Sequence, residues 1–121
     1  MSIALWCVLF AGLLPYAAAG IAKGGASFDN RNPRDWLARQ EGFRRRANAA
    51  QANGFETFPL FAVAVVVATL HHGPGQRMDL LAMTFVAARI AYLLCYLADQ
   101  ATLRSVCWLV AIVATVAIFV S

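Results

Sequence analysis

Residues 3–22 read IALWCVLFAGLLPYAAAGIA, twenty consecutive residues without a charge. An α-helix rises about 1.5 Å per residue, so this stretch is about 30 Å long, the thickness of the hydrocarbon core of a bilayer. A cleaved signal peptide is the competing interpretation, because Ala17-Ala18-Ala19 resembles a small-residue cleavage site. Signal peptides carry a positively charged segment before a shorter apolar run, and that segment is missing here. The stretch therefore predicts a transmembrane helix.

The remainder of the chain has the same apolar character. Over all 121 residues of the chain, 61% are hydrophobic, whereas in soluble domains about half of the residues are apolar. The net charge is +4, and seven of the ten Lys and Arg residues lie between Lys23 and Arg46. Such clustering fits a loop at a membrane surface better than a nucleic-acid groove. We therefore expect a lipid bilayer as the surroundings and no nucleic-acid partner.

Three further spans are predicted from the hydrophobic pattern, which together with residues 3–22 give four. A polar segment rich in turn formers precedes the second span, and Asp79 is in position to cap the third. The predicted segments are a polar loop at 23–37, one long helix from Arg34 through the apolar run 57–70, a loop at 71–75, a third span at 80–98 and a fourth at 105–121. The sequence thus predicts an all-α, integral membrane four-helix bundle that forms a single domain over residues 1–121.

The distribution of Lys and Arg also predicts the orientation of the chain. Short loops rich in these residues stay on the cytoplasmic side of a membrane. The segment from Lys23 to Arg46 is therefore expected to be cytoplasmic, with both termini on the opposite side of the cell inner membrane.

Polar residues of the second helix share one face. Asn53 and Glu56 are three residues apart, Arg46 precedes Asn53 by seven, and Arg45 and Asn48 border the same arc. Charged groups inside a span are costly unless they are paired or reach a wet cavity. This face is therefore a candidate site.

A second polar stripe lies on the third helix, where Arg89, Tyr92 and Tyr96 follow the spacing i, i+3 and i+7. Arg104 comes shortly afterwards, at the head of the fourth helix. One explanation is that Glu56 pairs with Arg89 only to make burial tolerable. Glu56 is a single acid among several arginines, however, so an anionic ligand is the alternative that neutralises the excess.

Other reactive residue types point to packing and not to chemistry. Cys7, Cys95 and Cys107 lie inside apolar runs without metal-ligand spacing, so we interpret them as reduced packing residues and predict no metal site. His71-His72 is expected in a solvated loop, and Trp108 is expected to be an anchor at the interface or facing lipid.

Residues 46–61, RANAAQANGFETFPLF, resemble the second-helix signature of the membrane-associated proteins in eicosanoid and glutathione metabolism, the MAPEG family. The core Asn-x-x-Glu-x-x-Pro is the most specific part of the match. Residues 88–92, ARIAY, with Tyr96 and the later LRSV at 103–106 are similar to the third-helix and loop pattern of the leukotriene and prostaglandin synthases of that family. The resemblance covers nearly the whole chain.

This resemblance implies a homotrimer that binds glutathione between subunits near the cytoplasmic side and takes a lipophilic substrate from the bilayer. By position, Asn53 and Glu56 are implied to hold glutathione, and Arg104 to stabilise its thiolate in catalysis. Ser105 follows that arginine as it does in the prostaglandin synthases.

The rest of the implied pocket comes from the third helix and the start of the second. Arg89, Tyr92 and Tyr96 are implied to line it. Well-studied relatives carry an arginine seven residues before the glutamate, where this chain has Ala49, and the nearest guanidinium is that of Arg46.

Two functional hypotheses follow. The first is a glutathione-dependent transferase or peroxidase that acts on a lipophilic substrate. The second is a non-catalytic membrane protein of the same fold that binds lipid or another subunit, which the alanine at position 49 favours. A proton or ion pathway through Glu56 and Arg89 is weaker, because no polar chain continues along the fourth helix.

Overall fold

The structure is a computed structural model that describes residues 1–25 and 27–121, and the described residues form helices joined by short connections. Four of the helices are long and apolar enough to cross a membrane, and only the second is short. In chain order the helices are α1 (Ile3–Lys23), α2 (Pro33–Ala38), α3 (Phe43–His72), α4 (Gln76–Leu97) and α5 (Ala101–Phe119). The predicted all-α fold with four spans is confirmed.

The long helices pack as a bundle in which small residues face inward and large apolar residues face outward. α1 packs along α3 and α4 along α5, and further contacts join the two pairs. Alanines fill much of the interior, whereas Leu13, Leu60, Leu109 and Val113 are each more than half exposed. Small residues let membrane helices approach closely, and an apolar outer surface is what lipid requires. The pattern of burial therefore fits a bilayer and not water.

One aromatic pair marks the centre of the bundle. Phe61 of α3 and Phe85 of α4 stack with their ring centres 3.8 Å apart and their planes 2° from parallel. Both side chains are almost fully buried. This contact fixes the relative height of α3 and α4, and so aligns the polar residues nearer the basic end of the bundle.

The segment before α3 differs from the prediction in two ways. The sequence predicted one continuous helix from Arg34, but α2 ends at Ala38 and α3 begins at Phe43 after Gly42, whose φ is +65°. Glycine reaches that left-handed conformation without a steric penalty, which permits a break inside a helical pattern. The segment 23–37 was also predicted as a polar loop, yet it contains part of α2.

The residues of α2 are tied to the bundle by apolar contacts. Trp36 and Leu37 are buried, and the Trp36 ring packs edge-on against Phe28 with the ring centres 5.0 Å apart. Pro33 stands at the first turn, where its missing N–H carries no penalty. These apolar side chains explain why part of the predicted loop joins the core.

Side chains from neighbouring helices satisfy backbone groups at two helix ends. Arg44 donates to the carbonyl of Ala22 at the end of α1. Asp79 was predicted to cap its own helix, and this was wrong: the residue before α4 is Gly75, and the Asp79 Oδ1 accepts the N–H of Ala4 in α1 at 2.9 Å. Asp79 lies in the first turn of α4, and its backbone N–H already donates to the Gly75 carbonyl.

His71 and His72 lie at the end of the bundle away from the basic segment. His71 and His72 were predicted in a loop, but they form the last turn of α3 and are exposed. The His72 Nε2 lies 3.2 Å from the Ser121 hydroxyl. Met1 and Ser121 therefore lie at the end of the bundle opposite to the basic segment.

Candidate functional site

The antiparallel course of the helices brings the predicted polar residues to the basic end of the bundle. Asn53 lies ten residues after the start of α3, Tyr96 near the end of α4 and Arg104 in the first turn of α5. Because α3 and α4 run in opposite directions, these positions meet at one level. An open concavity of about 240 Å³ is lined there by Asn53, Tyr92, Tyr96, Arg104, Ser105 and Trp108.

Two arginine–tyrosine pairs, joined through their tyrosine rings, lead from this concavity toward the interior of the bundle. The guanidinium carbon of Arg104 lies 4.4 Å from the centre of the Tyr96 ring, and that of Arg89 lies 4.1 Å from the Tyr92 ring. The two tyrosine rings meet edge to face with their centres 5.6 Å apart. Aromatic faces attract cations, so the two guanidinium groups are held by rings and remain available to an anion.

Arg89 belongs to a different compartment from the other predicted residues. Its side chain is 5% exposed and lines an internal cavity between α1, α3 and α4. The Nη1 atom is buried and has no hydrogen-bond partner among the described residues. Glu56 is exposed on α3, so the two charged groups lie in different environments. Tyr92 is the residue that lines both the internal cavity and the concavity.

Arg46 lies apart from the concavity as well. Its Nη2 donates to the carbonyl of Leu97 at 3.2 Å, at the last residue of α4. Carbonyls at the end of a helix lack internal partners, so this bond caps α4. The neighbouring Arg45 is exposed and Ala49 is half-buried. Of the residues predicted to bind glutathione, Arg46, Glu56 and Arg89 are therefore outside the concavity of the single chain.

Asn53, three residues before the exposed Glu56, carries an unsatisfied polar group. Its Oδ1 is buried and has no hydrogen-bond partner among the described residues. A buried acceptor without a donor is costly, so a donor from a ligand would be stabilising here. An ammonium or amide N–H has the required chemistry.

Trp108 lines the concavity, although the sequence predicted an anchor facing lipid or the interface. The side chain is 40% exposed and follows Arg104 by four residues, which places both on one face of α5. That spacing was visible in the sequence. Ser105, adjacent to the arginine, completes the rim.

Comparison with known protein families identifies the family of the chain. The sequence matches the MAPEG family over residues 3–121, essentially the whole chain. The chain belongs to the MAPEG family. No curated protein matches it. No solved structure matches it either. Membership in the MAPEG family, together with four apolar helices, establishes a multi-pass integral membrane protein.

The resemblance to MAPEG proteins that the sequence predicted is thus confirmed, while the individual roles of the site residues stay predictions. Of the two MAPEG signature residues, Asn53 lines the concavity. Glu56 lies on the exposed side of α3. Arg104, the predicted catalytic residue, lies at the concavity with its guanidinium over Tyr96.

Proposed function

We propose that this protein is a glutathione-dependent membrane enzyme, a transferase or peroxidase that acts on a lipophilic substrate. The observation that supports it best is the position of Arg104, which shares one open concavity with the unsatisfied amide of Asn53. Glutathione is a thiol that carries carboxylates and an ammonium, and so offers partners to both groups. Family membership supports the same class of protein.

The chemistry follows from the permanent charge of the guanidinium. A cation beside a thiol favours the thiolate, which is the nucleophilic form. In a transferase the thiolate sulfur forms a bond to an electrophilic carbon, and the leaving group departs or a proton adds. In a peroxidase two thiols supply two electrons, the hydroperoxide O–O bond breaks, and an alcohol, water and a disulfide result. Arg104 lowers the barrier in both cases by stabilising the sulfur anion.

The lipophilic substrate is proposed to arrive from the bilayer. Trp108 gives the concavity an apolar wall, and Val106 and Leu109 beside it are more than half exposed on the outer surface of α5. A hydrophobic molecule dissolved in the membrane can thus reach Arg104 without crossing water.

We also propose that the working form is a homotrimer. Glu56 is exposed within a helix that is long and apolar enough to span the membrane. A carboxylate facing lipid is costly, and a polar surface of a neighbouring subunit removes that cost. In the trimer glutathione would contact Glu56 at the subunit boundary. Crosslinking of the protein in membranes is expected to give a ladder that ends at three subunits.

The proposed orientation places the segment from Lys23 to Arg46 in the cytoplasm and both termini on the other side of the inner membrane. Alkaline phosphatase fused after Ser121 is active only outside the cytoplasm, so it should be active here. The same reporter fused after Arg39 should be inactive. The reverse pattern contradicts the proposed orientation.

The decisive experiment combines binding and turnover on purified protein. Wild type should bind glutathione at equilibrium and turn over 1-chloro-2,4-dinitrobenzene or cumene hydroperoxide. Arg104→Ala should retain binding and lose about 10–100-fold in turnover, because the thiol loses the adjacent cation that favours its ionised form. Glu56→Gln should weaken binding instead. Arg34→Ala, at an exposed position of α2, is the matched control and should change neither.

A non-catalytic lipid-binding protein is the second candidate function. It is favoured by Ala49, which supplies no guanidinium, and by the bond of Arg46 to Leu97, which occupies the nearest one. This candidate predicts that wild type does not bind glutathione and that a lipid remains bound after purification. Native mass spectrometry distinguishes the two outcomes.

A further inference from the structure

We propose that the internal cavity beside Arg89 is a binding site for one small monovalent anion of the halide class. The cavity lies between α1, α3 and α4 and has a volume of about 20 Å³. A space of about 10–15 Å³ holds one water molecule, so the cavity has room for one monatomic ion and not for a molecule of several heavy atoms. The site is separate from the proposed glutathione site and shares only Tyr92 with it.

The charge of Arg89 decides the type of occupant. The side chain is only 5% exposed, and its Nη1 has no hydrogen-bond partner among the described residues. A water molecule can accept that hydrogen bond but leaves the positive charge uncompensated inside the membrane. An anion accepts the bond and also neutralises the charge, which removes the cost of an unpaired buried cation.

Tyr92 presents its ring face to the guanidinium at 4.1 Å, but no side chain around the cavity among the described residues supplies a negative charge. Arg89 is the only charged residue among the described residues that line it. Thr57, the nearest hydroxyl of α3, donates to the carbonyl of Asn53 at 3.1 Å. The opposite walls are apolar and include Pro15 and Phe85. A cationic donor among apolar walls favours an anion as the occupant. A weakly hydrated halide suits such a site better than a free carboxylate does.

The helix packing limits the size of the anion. Gly54 lies so close to α1 that an added Cβ would stand 2.8 Å from the Pro15 Cγ, an atom of a rigid ring. This contact leaves no spare room between α1 and α3 there, and the cavity volume of about 20 Å³ suits one small ion and not a tetrahedral oxyanion or a carboxylate, which has several heavy atoms. Chloride and bromide should bind, whereas sulfate and phosphate should be excluded.

The test uses the full-length protein in detergent at constant ionic strength, with gluconate replaced stepwise by bromide. The midpoint of thermal unfolding of wild type should rise in a saturable way, by about 5–6 °C once bromide exceeds its Kd tenfold. Sulfate should give no such rise. Arg89→Met should lose the response to bromide, and Arg77→Met, at an exposed position in the first turn of α4, should retain it.

A second measurement needs no variant and covers the case in which Arg89→Met does not fold. Crystals of wild type grown with bromide should show an anomalous difference peak within hydrogen-bonding distance of the Arg89 guanidinium. An absent peak, a midpoint that does not depend on bromide, or an equal response in a folded Arg89→Met variant overturns the proposal. None of these readouts depends on glutathione or on turnover, so the result is independent of the proposed function.

Discussion

The guanidinium carbon of Arg104 stands 4.4 Å from the centre of the Tyr96 ring, and this contact joins the first turn of α5 to the last turns of α4. The ring holds the guanidinium by a cation–π interaction worth about 0.5–1 kcal/mol at an exposed site. Tyr96→Leu removes the ring, so we expect kcat/KM with glutathione to fall about 2–5-fold. Tyr96→Phe keeps the ring and should stay close to wild type.

Steady-state kinetics with a soluble electrophile measure both variants of Tyr96. An equal loss in the Phe and Leu variants would show that the hydroxyl, and not the ring, does the work, and would contradict the cation–π interpretation.

The close approach of α1 and α3 predicts an unusual sensitivity at Gly54. A methyl group there meets the Pro15 Cγ at 2.8 Å, so the helices must separate. We expect Gly54→Ala to lower the free energy of unfolding by about 1–3 kcal/mol, as overpacking does elsewhere. Gly20→Ala, in α1, is the control, because an added Cβ there would meet nothing within 4 Å. It should be neutral or stabilising in a thermal unfolding assay.

The bond from the Ala4 N–H to the Asp79 carboxylate predicts a cap supplied from another helix. Asp79→Ala leaves that N–H without its acceptor and should cost about 0.5–2 kcal/mol, the range for loss of a helix cap. Asp79→Asn retains a carbonyl acceptor and should cost less. Thermal unfolding measures both variants, and equal losses would mean that charge, and not the hydrogen bond, stabilises this end.

Capping of α4 by Arg46 gives a matching prediction at the other end of the bundle. Arg46→Met removes the bond to the Leu97 carbonyl and should lower stability by about 1 kcal/mol. Arg46→Lys keeps a positively charged donor near the helix end and should lose less. An unchanged unfolding midpoint for Arg46→Met would exclude the capping role and return the residue to the candidates for ligand binding.

Hydropathy located all four spans but not their exact ends. The third span was predicted at 80–98 and runs over Gln76–Leu97, and the fourth was predicted at 105–121 and runs over Ala101–Phe119. Apolar composition records where side chains meet lipid, whereas a helix begins where its backbone bonds begin, often among polar residues. The break at Gly42 was missed for a related reason, since one glycine does not interrupt a helical pattern of side chains.

The site was predicted less completely than the spans. Helical spacing put Arg89 on the stripe of Tyr92 and Tyr96, but spacing defines an arc and does not say which neighbouring helix closes the space over it. The contact of Gly54 with Pro15 helps to enclose Arg89 in an inner cavity, and that contact depends on how α1 and α3 pack. Periodicity within one helix carries no information on such packing.

At 30 residues, α3 is about 45 Å long, roughly half as long again as the hydrocarbon layer it crosses. Its first turns, with Arg44 and Arg46, therefore project into the headgroup region. Lipids with longer acyl chains would draw these guanidinium groups into hydrocarbon, which is unfavourable and tilts or strains the helix. The acyl-chain length of the host lipid should thus tune how the concavity beside Asn53 is presented, and reconstitution in a series of increasing chain length is the natural way to observe it.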